Sequence, residues 1–395
     1  MKTVEDAISY IHNRPKGGQK ESLYRMTTLL AALGNLQNDL PYAIHITGTN
    51  GKGSVSTMAS NILRVAGYDT GLFVSPFITN FRERIQINNE MISKDDLLHA
   101  TNKVAQVLVN VDAELYPDIP VEFEVLTAIM FTYFSSKKLD ALVIEVGIGG
   151  LLDSTNVMPN TKVAVITSVG LDHQKMLGNT ITEIASQKAG IIHDDDDVAV
   201  VTGDLPDEAR LVIEKKTPHV IKGLRHEFQS GLPGEYQIEN TATAVAAVRA
   251  FAQNISDDTI QKGLEESHFS GRFELIAPNI MVDGAHNAQG LRALYKSLSV
   301  AYPKGKITLI IGSLMDKNVT AEFNEILRDD RFNIVLVPFT GPNGRPSLSI
   351  EQTLKQYQVS AMPHWQEAVE KSTADLTVLT GSLYFISEVR EQYDR

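Results

Sequence analysis

The chain has 395 residues, with 36 Lys and Arg against 48 Asp and Glu, a formal net charge of −12 at pH 7, and 43% hydrophobic residues. That length favours two hydrophobic cores, and the acidic balance argues against nucleic acid or an anionic membrane as the main partner. Cysteine is absent, which excludes disulfides, thiolate-bound metals and a cysteine nucleophile, and is compatible with a cytoplasmic setting.

No apolar run approaches membrane-spanning length, and residues 1–14 (MKTVEDAISYIHNR) carry acids where a signal peptide would be apolar. Residues 3–12 and 20–36 have helical spacing, the second through Leu23, Met26, Leu29, Leu30 and Leu33. Residues 42–56 (YAIHITGTNGKGSVS) begin as a short apolar strand and break into Gly48, Asn50, Gly51 and Gly53. They continue as a helix expected over 55–65. Strand, glycine-rich turn and helix make an anion cradle, because glycines let backbone N–H groups converge and the helix N-terminus adds partial positive charge. Lys52 would reach the terminal phosphates and Ser54 would sit near a phosphate-bound cation. The stretch departs from the strict G-x-x-x-x-G-K-[ST] pattern, with Ile46 at the first glycine position and Gly53 between Lys52 and Ser54. A plain glycine turn between strand and helix is the competing reading.

Residues 70–74 and 84–88 read as strands, 94–109 and 121–134 as helices, and 141–146 (ALVIEV) and 162–167 as continuous apolar strands. Alternating helices and fully apolar strands indicate a parallel sheet buried on both faces. Ligands gather at the carboxyl ends of such strands, where Thr47, Ser75, Glu145 and Ser168 all lie. A helix is expected over 182–191, and the aspartate run of 193–197 reads as a solvated turn before a strand at 198–202. Helices at 237–251 and 257–266 follow. A composition change at 272–278 opens a second α/β unit with strands at 280–283, 306–311, 333–337 and 376–379, each followed by a helix. The expected domains are 1–276 and 277–395.

Two side chains in the first domain have two readings each, and a third has a plain one. Glu145 closes an apolar strand before Gly147-Ile148-Gly149-Gly150, and either faces the crevice beside the phosphate turn or is a solvated or salt-bridged strand end. His173 is either a hydrogen-bonded structural residue or a ligand whose ring Asp172 orients. Lys188, in QKAGI, is by default a solvated helical charge.

In order along the chain stand HITGTNGKGS, SPFITNFRERIQIN, EVGIGGLLDSTNV, SVGLDHQKMLGNTITEIASQKAGI, GEYQIENTATA, FSGRFE and DGAHN, with IGSLMDKN and TGSLYFISEVR beyond them. This set closely resembles the folylpolyglutamate synthase/dihydrofolate synthase family of Mur-type ATP-dependent ligases, over nearly the whole chain. The resemblance implies a P-loop-containing, mostly parallel N-terminal ATPase domain, a smaller Rossmann-like C-terminal domain and an active site between them. It also implies that a folate carboxylate takes the γ-phosphoryl of ATP and that L-glutamate attacks the acyl phosphate. Crowding a triphosphate and two acids together demands cations.

Carried over residue by residue, the resemblance assigns Asn50, Gly51, Lys52, Gly53 and Ser54 to the phosphate loop. Ser75, Glu145 and His173 match magnesium ligands, with Mn²⁺ able to substitute because of the imidazole. Asn240, Arg272 and Asp283 match nucleotide contacts, Asp283 at the ribose. Lys188 matches the lysine that the family carbamylates with CO₂, which requires a neutral and hence partly buried amine. Lys52, His173 and Lys188 form the implied catalytic set. Phe123, Glu124, Asp153 and Ser154 resemble pteroate contacts, and His286 and Ser382 residues near the incoming glutamate; each is equally readable as a structural polar or core residue.

The chain departs from the family at Leu151, where arginine is frequent, at Gln187, where glutamate is frequent, and in a short segment between residues 201 and 234. These departures bear on substrate preference and leave the phosphate loop and metal positions intact. The expected activity is γ-glutamyl ligation to a folate by a monomer, with dihydropteroate as a second acceptor. A peptidoglycan-precursor ligase and a non-catalytic folate or nucleotide sensor are the alternatives.

Overall fold

The computed structural model describes residues 1–17, 21–193, 198–225 and 227–393, so the aspartates at 194–197 lie outside the described residues. The chain forms two compact units, Met1–Gly231 with Glu239–Ser267, and Leu232–Ile238 with His268–Arg395.

The first unit is built on strands β1 (Ala43–Thr47), β2 (Thr70–Phe73), β3 (Ile85–Ile87), β4 (Glu90–Met91), β5 (Ala141–Glu145), β6 (Thr161–Ile166), β7 (Ala199–Thr202) and β8 (Val220–Lys222). They form one sheet in the order β4-β3-β2-β5-β1-β6-β7-β8. From β2 to β8 the pairing is parallel, while β3 and β4 add an antiparallel edge. Every residue of β1, β2 and β5 is buried, as their largely apolar character requires of a sheet covered on both faces. On one face, helices Val4–His12, Tyr24–Ala32, Lys94–Leu115 and Glu122–Ser135 close a core of Ile11, Met26, Leu97, Ile129 and Phe134 over Phe73 and Ile144. A second core gathers Val146, Ile166, Ile184, Ile191 and Ile213.

Strand β1 lies between β5 and β6, with Ile46 opposite Glu145 and Thr47 opposite Ile166. The carboxyl ends of β2, β5, β1 and β6 therefore stand side by side. Since the next strand in sequence, β2, is not a neighbour of β1, the order reverses here, and such a switch opens a crevice.

Several helix limits differ from expectation for local reasons. The helix expected over 20–36 spans Tyr24–Ala32, because Gly34 (φ +88) and Asn35 (φ +56) turn left-handed and end it. The helix expected to stop at 109 runs to Leu115, where Val111 continues the buried stripe and the Tyr116-Pro117 pair stops it. The helix after the glycine turn starts at Lys52, so Lys52, Gly53 and Ser54 form its first turn.

The second unit holds β9 (Glu274–Ala277), β10 (Ile280–Val282), β11 (Ile307–Ile311), β12 (Phe332–Leu336), β13 (Ser360–Ala361) and β14 (Leu376–Thr380), in the order β13-β12-β11-β14-β10-β9. All pairs are parallel except β9 with β10. Strands β9 and β13 are short and partly exposed, and so lacked an apolar signature in the sequence. Because β9 pairs with β10, the compact units part after Ser267, ahead of the strand pair that the expected limit at 276/277 would divide. Among the described residues no helix is long and apolar enough to cross a membrane.

Candidate active site

The turn after β1 is held open by the loop after β6. The Thr49 N–H donates to Ser168 O at 2.9 Å and the Asn50 N–H to Ser168 Oγ at 2.9 Å. Thr49 Oγ1 donates to Gly170 O at 3.1 Å and Thr167 Oγ1 to Asn50 O at 2.6 Å. Gly51, with φ +87, sits where a Cβ would run into the Asn240 side chain, so glycine is required by conformation and by space together. Asn240 is thereby placed against the turn. The first N–H groups of a helix have no intrahelical acceptor, so the helix starting at Lys52 directs donors and its positive end toward the turn. Lys52 Nζ folds back onto Gly48 O at 3.0 Å. Together these features form an anion seat.

Beside the seat, Glu145 ends β5 with only 3% exposure, and its Oε2 accepts the Ser75 N–H at 3.1 Å. A carboxylate this buried needs positive partners. With the hydroxyl of Ser75, the residue whose N–H it accepts, the donor set is hard oxygen, which fits magnesium better than a soft metal. Among the described residues no group of three His, Asp or Glu side chains forms a metal cluster. The structure brings Ser75 and Glu145 together. It sets His173 on the loop beyond β6, with φ +50, its N–H on Asp172 Oδ1 at 2.8 Å and its Nε2 4.0 Å from Asp172 Oδ2.

Lys188 ends the helix Ile181–Lys188 and is 3% exposed. Burial pushes its ammonium down to about 7, the charge of Lys52 pushes the same way, and Asp172 opposes them. Neutral amine is therefore abundant near pH 7, and Lys188 lies within electrostatic reach of the phosphate-turn lysine. The glycine turn after β5 packs on this helix end: Leu151 N–H donates to Gln187 O at 2.8 Å, and a Cβ on Gly150 would lie 2.7 Å from Lys188 O. The Leu151 side chain is 45% exposed.

The residues matched to the pteroate end have partners within the fold. Phe123 lies against Gly147, leaving no room for a Cβ there, and its ring is 6.0 Å from that of Phe73. Glu124 is fully buried, accepts from Arg25 Nε at 3.0 Å and caps its own helix through the Val121 N–H at 2.9 Å. Asp153 accepts from the Ile148 N–H at 3.1 Å, the Thr155 N–H at 3.0 Å and Thr155 Oγ1 at 2.7 Å. Ser154 is fully buried.

In the second unit, Asp283 accepts from Tyr236 OH at 2.7 Å, the Phe273 N–H at 2.9 Å and the Ala285 N–H at 2.9 Å. Arg272 stacks over Phe269 at 5.6 Å and lies against Gly284, where a Cβ would strike its guanidinium. His286 Nδ1 donates to Gly284 O at 2.8 Å, and buried Ser382 precedes the helix Leu383–Tyr393. Arg25, Thr155 and Tyr236, side-chain partners of Glu124, Asp153 and Asp283, escaped the sequence reading, as did His45, which hydrogen-bonds Thr155. Only His45 carried a signal, as a polar residue inside an apolar strand.

Residues 271–383 match the family model described as Mur ligase, glutamate ligase domain. The chain is 37% identical to folylpolyglutamate synthase of Lacticaseibacillus casei, over 98% of this chain and 97% of that protein. It is 31% identical to dihydrofolate synthase/folylpolyglutamate synthase of Bacillus subtilis (strain 168), over 98% of each. A solved FPGS–AMPPCP–folate complex superposes with a TM-score of 0.86 at 34% identity, covering 98% of this chain and 99% of that one. The chain belongs to the folylpolyglutamate synthase/dihydrofolate synthase family of Mur-type ligases.

Proposed function

We propose that this protein is an ATP-dependent ligase that adds L-glutamate to the γ-carboxylate of a folate through an acyl phosphate, with dihydropteroate as a second acceptor. The observation that carries this reading is the meeting, at the carboxyl ends of β2, β5, β1 and β6, of an anion seat, the Ser75–Glu145 pair and the neutral-leaning Lys188. Relatives named for both activities and a relative solved with AMPPCP and folate support it.

In this reading Gly51, Gly53 and Ser54 hold the triphosphate through backbone N–H groups, Asn50 lines the same turn with its own N–H on Ser168 Oγ, and Lys52 exchanges Gly48 O for phosphate oxygen. Asn240 contacts the nucleotide from beside the turn, and the family pattern assigns Arg272 and Asp283 to the nucleotide as well. Ser75, Glu145 and His173 would hold Mg²⁺ or Mn²⁺, which when bound offsets phosphate charge and lowers the cost of approach by a carboxylate. The Lys188 amine adds to CO₂, releasing a proton and leaving a carbamate anion on a long arm. Phe123, Glu124, Asp153 and Ser154 shape the acceptor end, and His286 and Ser382 the glutamate end. A carboxylate is a poor acyl donor, and phosphorylation gives its oxygen a good leaving group before the amine attacks. The family's pattern and the net charge of −12 support a monomer, and the absence of cysteine a cytoplasmic setting.

The test is phosphate release with ATP, Mg²⁺ and glutamate, offering tetrahydrofolate, dihydropteroate or a UDP-muramyl peptide as acceptor. Release with tetrahydrofolate is expected. Release only with the muramyl substrate, or ATP binding without release in every arm, would overturn the reading.

A further inference from the structure

His45 lies in the middle of β1, fully buried, and is used by none of the steps above. Burial pushes its imidazole down to about 3, so the ring is neutral at working pH. Its Nε2 is 2.8 Å from Thr155 Oγ1, while its Nδ1 is buried with no hydrogen-bond partner among the described residues. An orphaned nitrogen costs on the order of a hydrogen bond, and an apolar ring in the same place would avoid that cost. Core packing alone therefore does not account for a histidine here.

The hydrogen bonds around it fix its tautomer. Thr155 Oγ1 has one proton, and it goes to Asp153 Oδ1 at 2.7 Å, because a carboxylate only accepts. Thr155 must then accept from His45, so the ring carries its proton on Nε2. The relay continues through Asp153 Oδ2 to the Ile148 N–H at 3.1 Å, inside the glycine turn that follows Glu145. Two residues along β1, Thr47 Oγ1 donates to Gly149 O of the same turn. His45 and Thr47 share one face of the strand, so the strand that delivers the phosphate turn also grips the acceptor-side turn at two points.

We infer that His45 is a positioning residue: acting through Thr155 and Asp153, it sets the register of the Gly147–Gly150 turn and thereby the affinity for the folate acceptor. The inference rests on the ligase reading above, in which Phe123 and Asp153, both in contact with that turn, shape the acceptor end.

The test compares His45→Gln, His45→Asn, His45→Phe, Thr155→Val and the double variant His45→Phe/Thr155→Val in the full chain. Glutamine places an N–H donor near the Nε2 position; asparagine is too short. The acceptor KM should rise about tenfold, the equivalent of about 1.4 kcal/mol, in His45→Asn, His45→Phe and Thr155→Val. Meanwhile kcat and the KM for ATP should stay near wild type, and Tm should hold in His45→Phe. His45→Gln should restore most of the affinity, and the double variant should be no worse than the worse single one. An unchanged acceptor KM in Thr155→Val, or a parallel loss of kcat, KM and Tm with glutamine no better than asparagine, would overturn the inference. If His45→Phe does not fold, Thr155→Val and the glutamine/asparagine pair decide it. Failure of the ligase reading is separate, since it would show as wild-type protein inactive on every folate; the imidazole ¹⁵N shifts of His45 then still report the Nε2–H tautomer, and the opposite tautomer would refute the relay.

Discussion

Ser75 and Glu145 are joined across two neighbouring strands, the backbone N–H of one donating to the carboxylate of the other at 3.1 Å. That bond fixes a buried acid at the rim of the sheet, within the crevice that the strand order creates beside the phosphate turn.

Glu145→Gln keeps the shape and removes the charge. It should leave nucleotide affinity without metal unchanged and raise the magnesium concentration needed for half-maximal turnover at least tenfold. A metal titration matching wild type would remove Glu145 from the ligand set.

Lys188 supplies a pH dependence whose sign follows from its lowered value. The free amine grows as pH rises through about 7, so at fixed dissolved CO₂ turnover should fall steeply below that pH. In CO₂-free buffer the unfolded chain binds the Lys188 proton more readily than the folded one between about 7 and the ordinary 10.5. Stability should therefore rise with pH across that window. Lys188→Met should abolish most turnover, keep ATP binding and flatten the stability profile. Thermal melts and phosphate release measured across the same pH range check both limbs.

Gly150→Ala tests the packing that holds Lys188. Its Cβ would lie 2.7 Å from Lys188 O and 2.8 Å from Gln187 O, both backbone atoms that cannot swing away. The expected outcome is a destabilisation of about 1–3 kcal/mol, with turnover falling further than ATP affinity. Denaturant melts alongside single-turnover assays separate the two effects.

Arg25→Met would leave the Glu124 carboxylate buried without its guanidinium, a change that costs about 3–5 kcal/mol in comparable pairs. Arg25→Met/Glu124→Gln should recover much of that loss. If the double variant also retains the acceptor KM, Glu124 supports the fold and the pteroate contact lies elsewhere.

The site was legible in the sequence to different depths. The phosphate turn was readable because its chemistry is local: glycines, a lysine and a helix start within one stretch make the seat whatever surrounds them. Glu145 and Lys188 are ambiguous alone, since an acid at a strand end and a lysine on a helix are ordinarily solvated; their burial comes from the fold, Glu145 ending a strand buried along its length and Lys188 lying with its helix end against Gly150. Glu124 matched a substrate motif, yet the structure commits its carboxylate to Arg25 and to its own helix start. Helix ends at Ala32 and Leu115 differ from the sequence expectation because they depend on left-handed backbone at Gly34 and Asn35 and on the burial of Val111 ahead of the Tyr116-Pro117 pair.

By itself the sequence determined the alternation of buried strands and helices, the anion-binding turn and the family, since these depend on residue type at short spacing. Tertiary structure alone decided that Thr155, distant in sequence from His45, lies 2.8 Å from it, and that burial and Lys52 together bring Lys188 down toward neutrality. Both outcomes depend on which strands lie side by side and on how much water they exclude, and neither is written in any one stretch of the chain.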